Sequence, residues 1–319
     1  MGTEGNGRLA GPARPVELEA PPHLEAPPQP AGRGRATRSW TGRLVWLGVL
    51  PFFAYTGAFL LLPSVSLFVG AFQDEEGNLT TAIVQRLWTP GAREAYWTSI
   101  RLSVATALVG GVVGLLMAYA AVHRMPRWVR TTLTTFSGVA ANFAGVPLAF
   151  AFISTIGFTG ILTTFLKDSV GVDIYEAGFS LYSFWGLVIV YLYFQVPLMI
   201  LVITPALDGL RNEWREAAMN MGASSAQYWR HVALPVLMPS LLGAGILLFG
   251  SAFGAYATAY ALTSGQMQLV PVLIGQVRLG NVLSDPHYGD ALALGMVVVL
   301  TISMALYLVL QRKASRWQR

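Results

Sequence analysis

The feature that most limits this chain is a series of apolar runs, each long enough to cross a bilayer, separated by short segments that hold nearly all the charge. A helix needs about 20 apolar residues to span the hydrocarbon. Inside lipid every backbone N–H and C=O must be paired, which leaves helices or closed barrels, and continuous rather than alternating apolar runs select helices. Six spans are predicted: Leu44–Phe72, Ser99 to about Val122, Thr132 to about Gly157, Phe179–Leu207, Val236 to about Leu262, and Gly289–Leu310. The composition agrees, since 12% of residues are charged where soluble domains carry about 25%. The expected fold class is an all-α membrane protein of six transmembrane helices.

Charge placement orients the spans. The net charge of +5 does not form a basic stripe, so no nucleic-acid partner is implied. Lys and Arg cluster instead at the ends of apolar runs. His123, Arg124, Arg127 and Arg130, then Arg211 to Arg230, then Arg312 to Arg319 fall on one side of the membrane, while segments 73–96 and 263–288 hold only Arg86, Arg93 and Arg278. By the positive-inside rule both termini are expected to be cytoplasmic, and so is segment 208–235. Residues 1–40, rich in Pro, Gly, Ala and Glu, are expected to form a disordered cytoplasmic tail. Arg33, Arg35, Arg38 and Arg43 precede the first apolar run, which is too long for a cleaved signal peptide. The transmembrane domain is placed at 41–319. Gly160 to Ala177 is expected to be outer-face structure, a short interfacial helix and a turn. Gly110, Gly111 and Gly114 in the second span, and Gly250 and Gly254 with Ser251 and Ala255 in the fifth, read as small-residue patches for close helix packing.

Catalysis finds no support. There is no cysteine, hence no disulfide or thiolate metal site. No Walker A, H-E-x-x-H or G-x-S-x-G pattern occurs, and His23, His123, His231 and His287 lie in unrelated places. Tyr288-Gly289-Asp290 is similar to one half of an intramembrane aspartyl protease site, but no second membrane-embedded Asp exists. Neither a metal site nor a cofactor is expected on this chain.

One polar stretch stands between two spans, Asp208 to Pro235. Trp214, Ala217, Ala218 and Met221 recur at i, i+3, i+4, i+7, an apolar helical stripe, with Glu213, Glu216 and Asn220 on another face. Gly222 fits a left-handed helix end, and Ser224 or Ser225 can cap a second helix. Tyr228, Trp229 and Val232 give that helix its apolar side. The expectation is a helix-turn-helix elbow on the membrane surface with an apolar underside.

Within it, Glu216-Ala217-Ala218, then Gly222 after three residues, Val232 after nine more, and Leu234-Pro235 resemble the EAA loop of type I, binding-protein-dependent ABC importer permeases. The resemblance covers about residues 95–310. It implies a permease fold whose coupling loop, 208–235, docks on ABC ATPase subunits that carry ATP and magnesium. Glu216 would make the charged contact, Ala217 and Ala218 would permit close approach, Gly222 the turn, and Val232, Leu234 and Pro235 the return into the fifth span. Implied partners are a second permease subunit, more readily a different chain than a copy, an extracytoplasmic solute-binding protein, and lipid of a bacterial inner membrane. Asn220 to Ser224 and Phe253 to Thr258 are closest in tone to the spermidine/putrescine, phosphonate and iron group, so a polyamine is the expected solute, with sugar, phosphonate or iron as alternatives within the superfamily. Asn142, Tyr193, Gln195, Ser251 and Tyr256 are candidates for the passage. The spans lack midplane charge, which fits poorly with the other class considered, an ATPase-independent secondary transporter.

Overall fold

The computed structural model describes residues 41–74, 76–279 and 285–315; the expected tail, 1–40, lies outside them. The chain divides into two units, Met1–Ala54 and Tyr55–Arg319. Numbering helices of seven residues or more, the elements are α1 (Thr41–Thr56), α2 (Leu62–Gly70), α3 (Pro90–His123), α4 (Arg127–Asn142), α5 (Val146–Ile156), α6 (Phe184–Asp208), α7 (Asn212–Asn220), α8 (Leu234–Phe253), α9 (Ala257–Thr263), α10 (Val270–Leu279) and α11 (Pro286–Ser315). Six helical stretches are long and apolar enough to cross a membrane: Gly48–Gly70, Pro90–His123, Val146–Val170, Phe184–Asp208, Ser225–Phe253 and Pro286–Lys313. The number of spans matches the sequence reading.

The most buried span of the second unit is α6. Its Leu187, Val190, Tyr191, Met199, Ile200, Ile203 and Leu207 are nearly all inaccessible, and α3, α4 and α8 pack around it. Lipid tails are as apolar as leucine, so these contacts rest on close fit rather than on expulsion of water. The fit comes from α3. Its buried positions Ser99, Ser103, Thr106, Gly110, Gly114, Ala118 and Ala121 recur every three or four residues and form a face of small side chains. A Cβ added at Gly110 would lie 2.9 Å from Gln195 Cβ, and one at Gly114 2.6 Å from Met199 Cβ. Of the three glycines predicted to pack, Gly110 and Gly114 do; Gly111 faces open space. Two hydroxyls on this face bond their own helix, Ser103 donating to the Ser99 carbonyl at 2.8 Å and Thr106 to that of Leu102 at 2.9 Å, and Ser99 Oγ accepts from the Val270 N–H at 2.9 Å. Gln195 Nε2 ties α6 to α8 by donating to the Leu248 carbonyl at 2.9 Å.

Two predicted spans are not continuous helices. The third is broken between Asn142 and Val146, where Gly145 takes φ +84° and Pro147 offers no N–H to an incoming turn. The fifth ends at Phe253 and resumes as α9 at Ala257. Broken backbone at membrane depth requires new partners, and the two breaks supply them to each other. Gly145 N–H donates to Thr258 Oγ1 at 2.7 Å, and the Thr258 hydroxyl lies 3.3 Å from the Gly145 carbonyl. Tyr191 in α6 donates to the Ala255 carbonyl at 3.0 Å. The predicted small-residue contacts of the fifth span do not form as expected: Gly250 meets only Leu300, at an ordinary 3.8 Å, and Gly254 sits where the helix stops.

The segment after α5 bears out the expected short helix and turn, Ile161–Phe165 continuing to Val170. Asp173 then organises the loop, accepting from Lys167 Nζ and the Tyr175 N–H at 2.9 Å and the Glu176 N–H at 3.3 Å. The Lys167 hydrogen bond, then those of the backbone, hold its carboxyl below the ordinary carboxylate range.

Gly114→Val should lower thermal stability in detergent by roughly 1–3 kcal/mol, as overpacking of a fitted interface does, whereas Gly111→Val should leave the melting temperature unchanged. Thr258→Val, which removes the partner of a part-buried N–H, should destabilise by about 1–3 kcal/mol in the same melting assay.

Candidate functional site

The elbow predicted at 208–235 begins where α6 ends. Asp208 closes α6, and its carboxylate receives Arg130 of α4. An acid at a helix C-terminus is unfavourable against the helix dipole, so this ion pair offsets that and ties α4 to the start of the elbow. After Gly209 to Arg211 the chain enters α7.

The end of α7 is fixed by glycine. Gly222 lies in the left-handed region at φ +82°. Its N–H donates to the Met219 carbonyl at 2.9 Å, and the Ala223 N–H reaches back to the Ala218 carbonyl at 3.0 Å. These paired bonds form the Schellman closure, which satisfies the last carbonyls of the helix. Ser224 then caps the next turn. Its Oγ accepts from the Gln227 N–H at 3.3 Å, while Gln227 Oε1 accepts from the Ser224 N–H at 2.7 Å, a reciprocal capping box.

The second helix of the elbow differs from the prediction. It is not a separate short helix. Ser225–Tyr228 passes through a π turn, Trp229–Ala233, directly into α8. Pro235 lacks the N–H that an α-helical register would offer to the His231 carbonyl, and the wider turn, closed by the Leu234 N–H on the Trp229 carbonyl, carries the helix across that position. From Asn212 to Phe253 the chain therefore has only one bend, at Met221 to Ser224.

Burial divides the elbow in two. Ala218 is 7% exposed and Tyr228 6% exposed; both pack with Ile203, Leu207, Leu210 and Leu237, and Trp229 and Val232 join them at the edge. Trp229 also meets Tyr119 of α3, ring to ring at 5.1 Å. The predicted apolar side of the second helix is thus in place. The stripe predicted for α7 is only partly buried. Ala218 faces inward, but Ala217 is exposed, Trp214 is 39% exposed and Met221 81% exposed. Glu216 is exposed alongside. A groove of about 400 Å³ runs between the two helices, floored by Ala218, Gly222, Ala223, Tyr228 and Val232.

The residues considered for the passage are spread more widely. Asn142 ends α4 with its amide on the Gly138 carbonyl, 2.9 Å. Tyr193 stacks edge-on with Phe143 in the first break and with Phe152 of α5. Those two positions therefore flank one break. Tyr256 lies in the other and stacks on Tyr260, 5.4 Å between centroids, while Ser251 is exposed on α8. Gln195 is fully buried among α3, α6 and α8, with its Oε1 unpartnered. Thr258, read from the sequence only as part of the Phe253–Thr258 run, and Phe143, which sequence reading did not single out, shape the paired breaks; Gly145-Val146-Pro147 was the available signal for the first. Among the described residues no group of acids and histidines is arranged to hold a metal.

Comparison with known proteins is consistent across sequence and fold. The probable sulfate transport system permease protein cysT of Nephroselmis olivacea is 28% identical over 255 residues, covering 78% of this chain and 84% of that protein. The sulfate transport system permease protein CysT of Synechococcus elongatus is 26% identical over 283 residues, 88% of this chain and 94% of that one. The spermidine/putrescine transport system permease protein PotB of Haemophilus influenzae is 24% identical over 269 residues, 80% and 90% of the two chains. Among solved structures, a chain of a bacterial ABC transporter involved in the import of the acidic polysaccharide alginate superposes with a TM-score of 0.65 at 16% identity, over 86% of this chain and 96% of that one; at that identity the likeness is one of fold. Residues 110–316 match the family described as binding-protein-dependent transport system inner membrane component. The chain belongs to that family, and is a multi-pass permease component of an ABC importer.

Proposed function

We propose that the elbow of α7 and Ser225–Ala233 is the surface on which ABC ATPase subunits dock, and that it passes their motion to α6 and α8. The supporting observation is the division of its surface. Ala218, Tyr228 and Trp229 anchor it to the spans, while Glu216, Ala217, Trp214 and Met221 remain outward. Exposed apolar side chains beside a carboxylate are the composition of a surface that a partner covers. Glu216 supplies the charged contact, Ala217 allows close approach, Ala218 and Val232 seat the elbow, Gly222 sets the bend, and Leu234 and Pro235 begin the fifth span. ATP and magnesium belong to the ATPase; this chain contributes no cofactor. A second permease subunit, different in sequence more readily than identical, completes the passage in a bacterial cell membrane, and an extracytoplasmic binding protein delivers the solute. The alginate transporter similar in fold was solved with an alginate pentasaccharide-bound periplasmic protein.

For the solute, a small oxyanion of the sulfate kind replaces the polyamine expectation. Several relatives named for sulfate transport match at 22–28% identity, beside one named for spermidine/putrescine at 24%. Among the described residues, the spans carry no acid away from their ends to pair with a polyammonium solute. Asn142, Tyr193, Ser251 and Tyr256 are the proposed lining; Gln195 would join it only if α3, α6 and α8 part.

Glu216→Lys and Gly222→Asp should both leave the protein in the membrane and abolish coupled transport, the second also losing up to about 1–2 kcal/mol from a left-handed non-glycine residue. Affinity purification followed by mass spectrometry should recover an ATPase with the wild type and not with either variant. Normal transport by either variant would overturn the coupling assignment. Uptake of labelled sulfate against labelled putrescine, with the binding protein present, decides the solute.

A further inference from the structure

A second groove lies at the same end of the bundle as the elbow but on a different face. It is formed where the start of the fifth span meets the end of the sixth, and holds about 380 Å³. Its lining is divided by chemistry. Leu234, Pro235, Met238, Leu242 and Leu310 make an apolar floor, and among the described residues Arg230 and Lys313 are its only charged members. Both cations are exposed, and among the described residues no carboxylate lines the groove.

The placement is regular. Arg230, Leu234, Met238 and Leu242 are spaced by four, so they follow one side of the helix down from the membrane surface. Leu310 and Lys313, spaced by three, descend α11 in the opposite direction. The helices run antiparallel here: Gly243 approaches the Tyr307 hydroxyl and Gly250 approaches Leu300, which brings the residues after Trp229 beside those after Leu310. Two positive charges at the headgroup level above a strip of leucine and methionine complement a molecule with an anionic head and an apolar tail. An isolated Arg or Lys at a helix end is often explained by snorkelling to the interface. That does not account for two such cations from different spans converging over one apolar floor. Basic pockets of this form between transmembrane helices suit anionic lipid headgroups.

We propose that this groove is a binding site for one anionic phospholipid of the leaflet that faces the elbow, its phosphate held by Arg230 and Lys313 and an acyl chain lying on Met238 and Leu242. The site is independent of the solute and does not require the ATPase assignment. It sits on Leu234 and Pro235, where the elbow passes into the fifth span, so occupancy would brace that junction.

The test uses the full chain in its purified native assembly, in nanodiscs of phosphatidylcholine with or without added phosphatidylglycerol. Phosphatidylglycerol should raise the melting temperature of the wild type and appear as one retained lipid in native mass spectrometry. Arg230→Gln with Lys313→Gln should lose both the shift and the retained lipid. Leu242→Trp, which fills the floor and keeps the charge, should lose the retained lipid as well. Arg124→Gln with Arg127→Gln, which removes two cations outside the groove, should change neither readout. The proposal fails if the charge-control pair removes the effect as fully as the groove pair, which would make it general surface attraction. It also fails if phosphatidylcholine is retained equally, or if crosslinking from Lys313→Cys, in a chain otherwise without cysteine, captures a protein subunit over the groove.

Discussion

The second unit depends on one close approach, that of α3 to α6 across Gly110 and Gly114. In water two helices are pressed together because their apolar faces leave solvent; in lipid that drive is absent and fit must supply the contact. Small side chains on α3 let backbone lie almost against Gln195 and Met199, and α4 and α8 then take their places around α6. The same approach brings Tyr119 and Ala118 of α3 to the end of the bundle, where they meet Trp229 and the packing beneath the elbow. The elbow is therefore held by the same core that holds the membrane domain.

Much of this was legible in the residues alone. Spans announce themselves because hydrocarbon tolerates so few residue types, and the elbow announces itself because its ends require special chemistry. Gly222 was readable as a left-handed stop and Ser224 as a cap, since few other residues serve those backbone positions well. Gly110 and Gly114 were readable as contact points, but their neighbour Gly111 was not separable from them, because three glycines in five residues do not reveal which way each one faces.

What escaped sequence reading depends on partners distant in the chain. The breaks in the third and fifth spans persist because Thr258 stands opposite Gly145, and Tyr191 opposite Ala255. These pairings join residues 113 and 64 positions apart, and Gly145-Val146-Pro147 marks the first break without naming its partner. Hydropathy runs through both breaks without change, so period and composition both favoured unbroken helices. In α7 the apolar period was correct while burial of the stripe was not. Periodicity reports which side chains share a face, and leaves open whether that face meets its own chain.

The π turn at Trp229–Ala233 has a mechanical consequence. It makes Ser225 to Phe253 one uninterrupted rod, which at about 1.5 Å per residue is roughly 40 Å long. With a short arm in the elbow and a long arm reaching the Gly254–Tyr256 break, such a rod would act as a lever about Pro235 if the proposed ATPase docking moved the elbow. A modest push there would become a larger sideways stroke at the far end. That stroke would arrive at the junction where Thr258 joins the two interrupted spans, so the hydroxyl that stabilises the resting arrangement also stands where displacement is greatest.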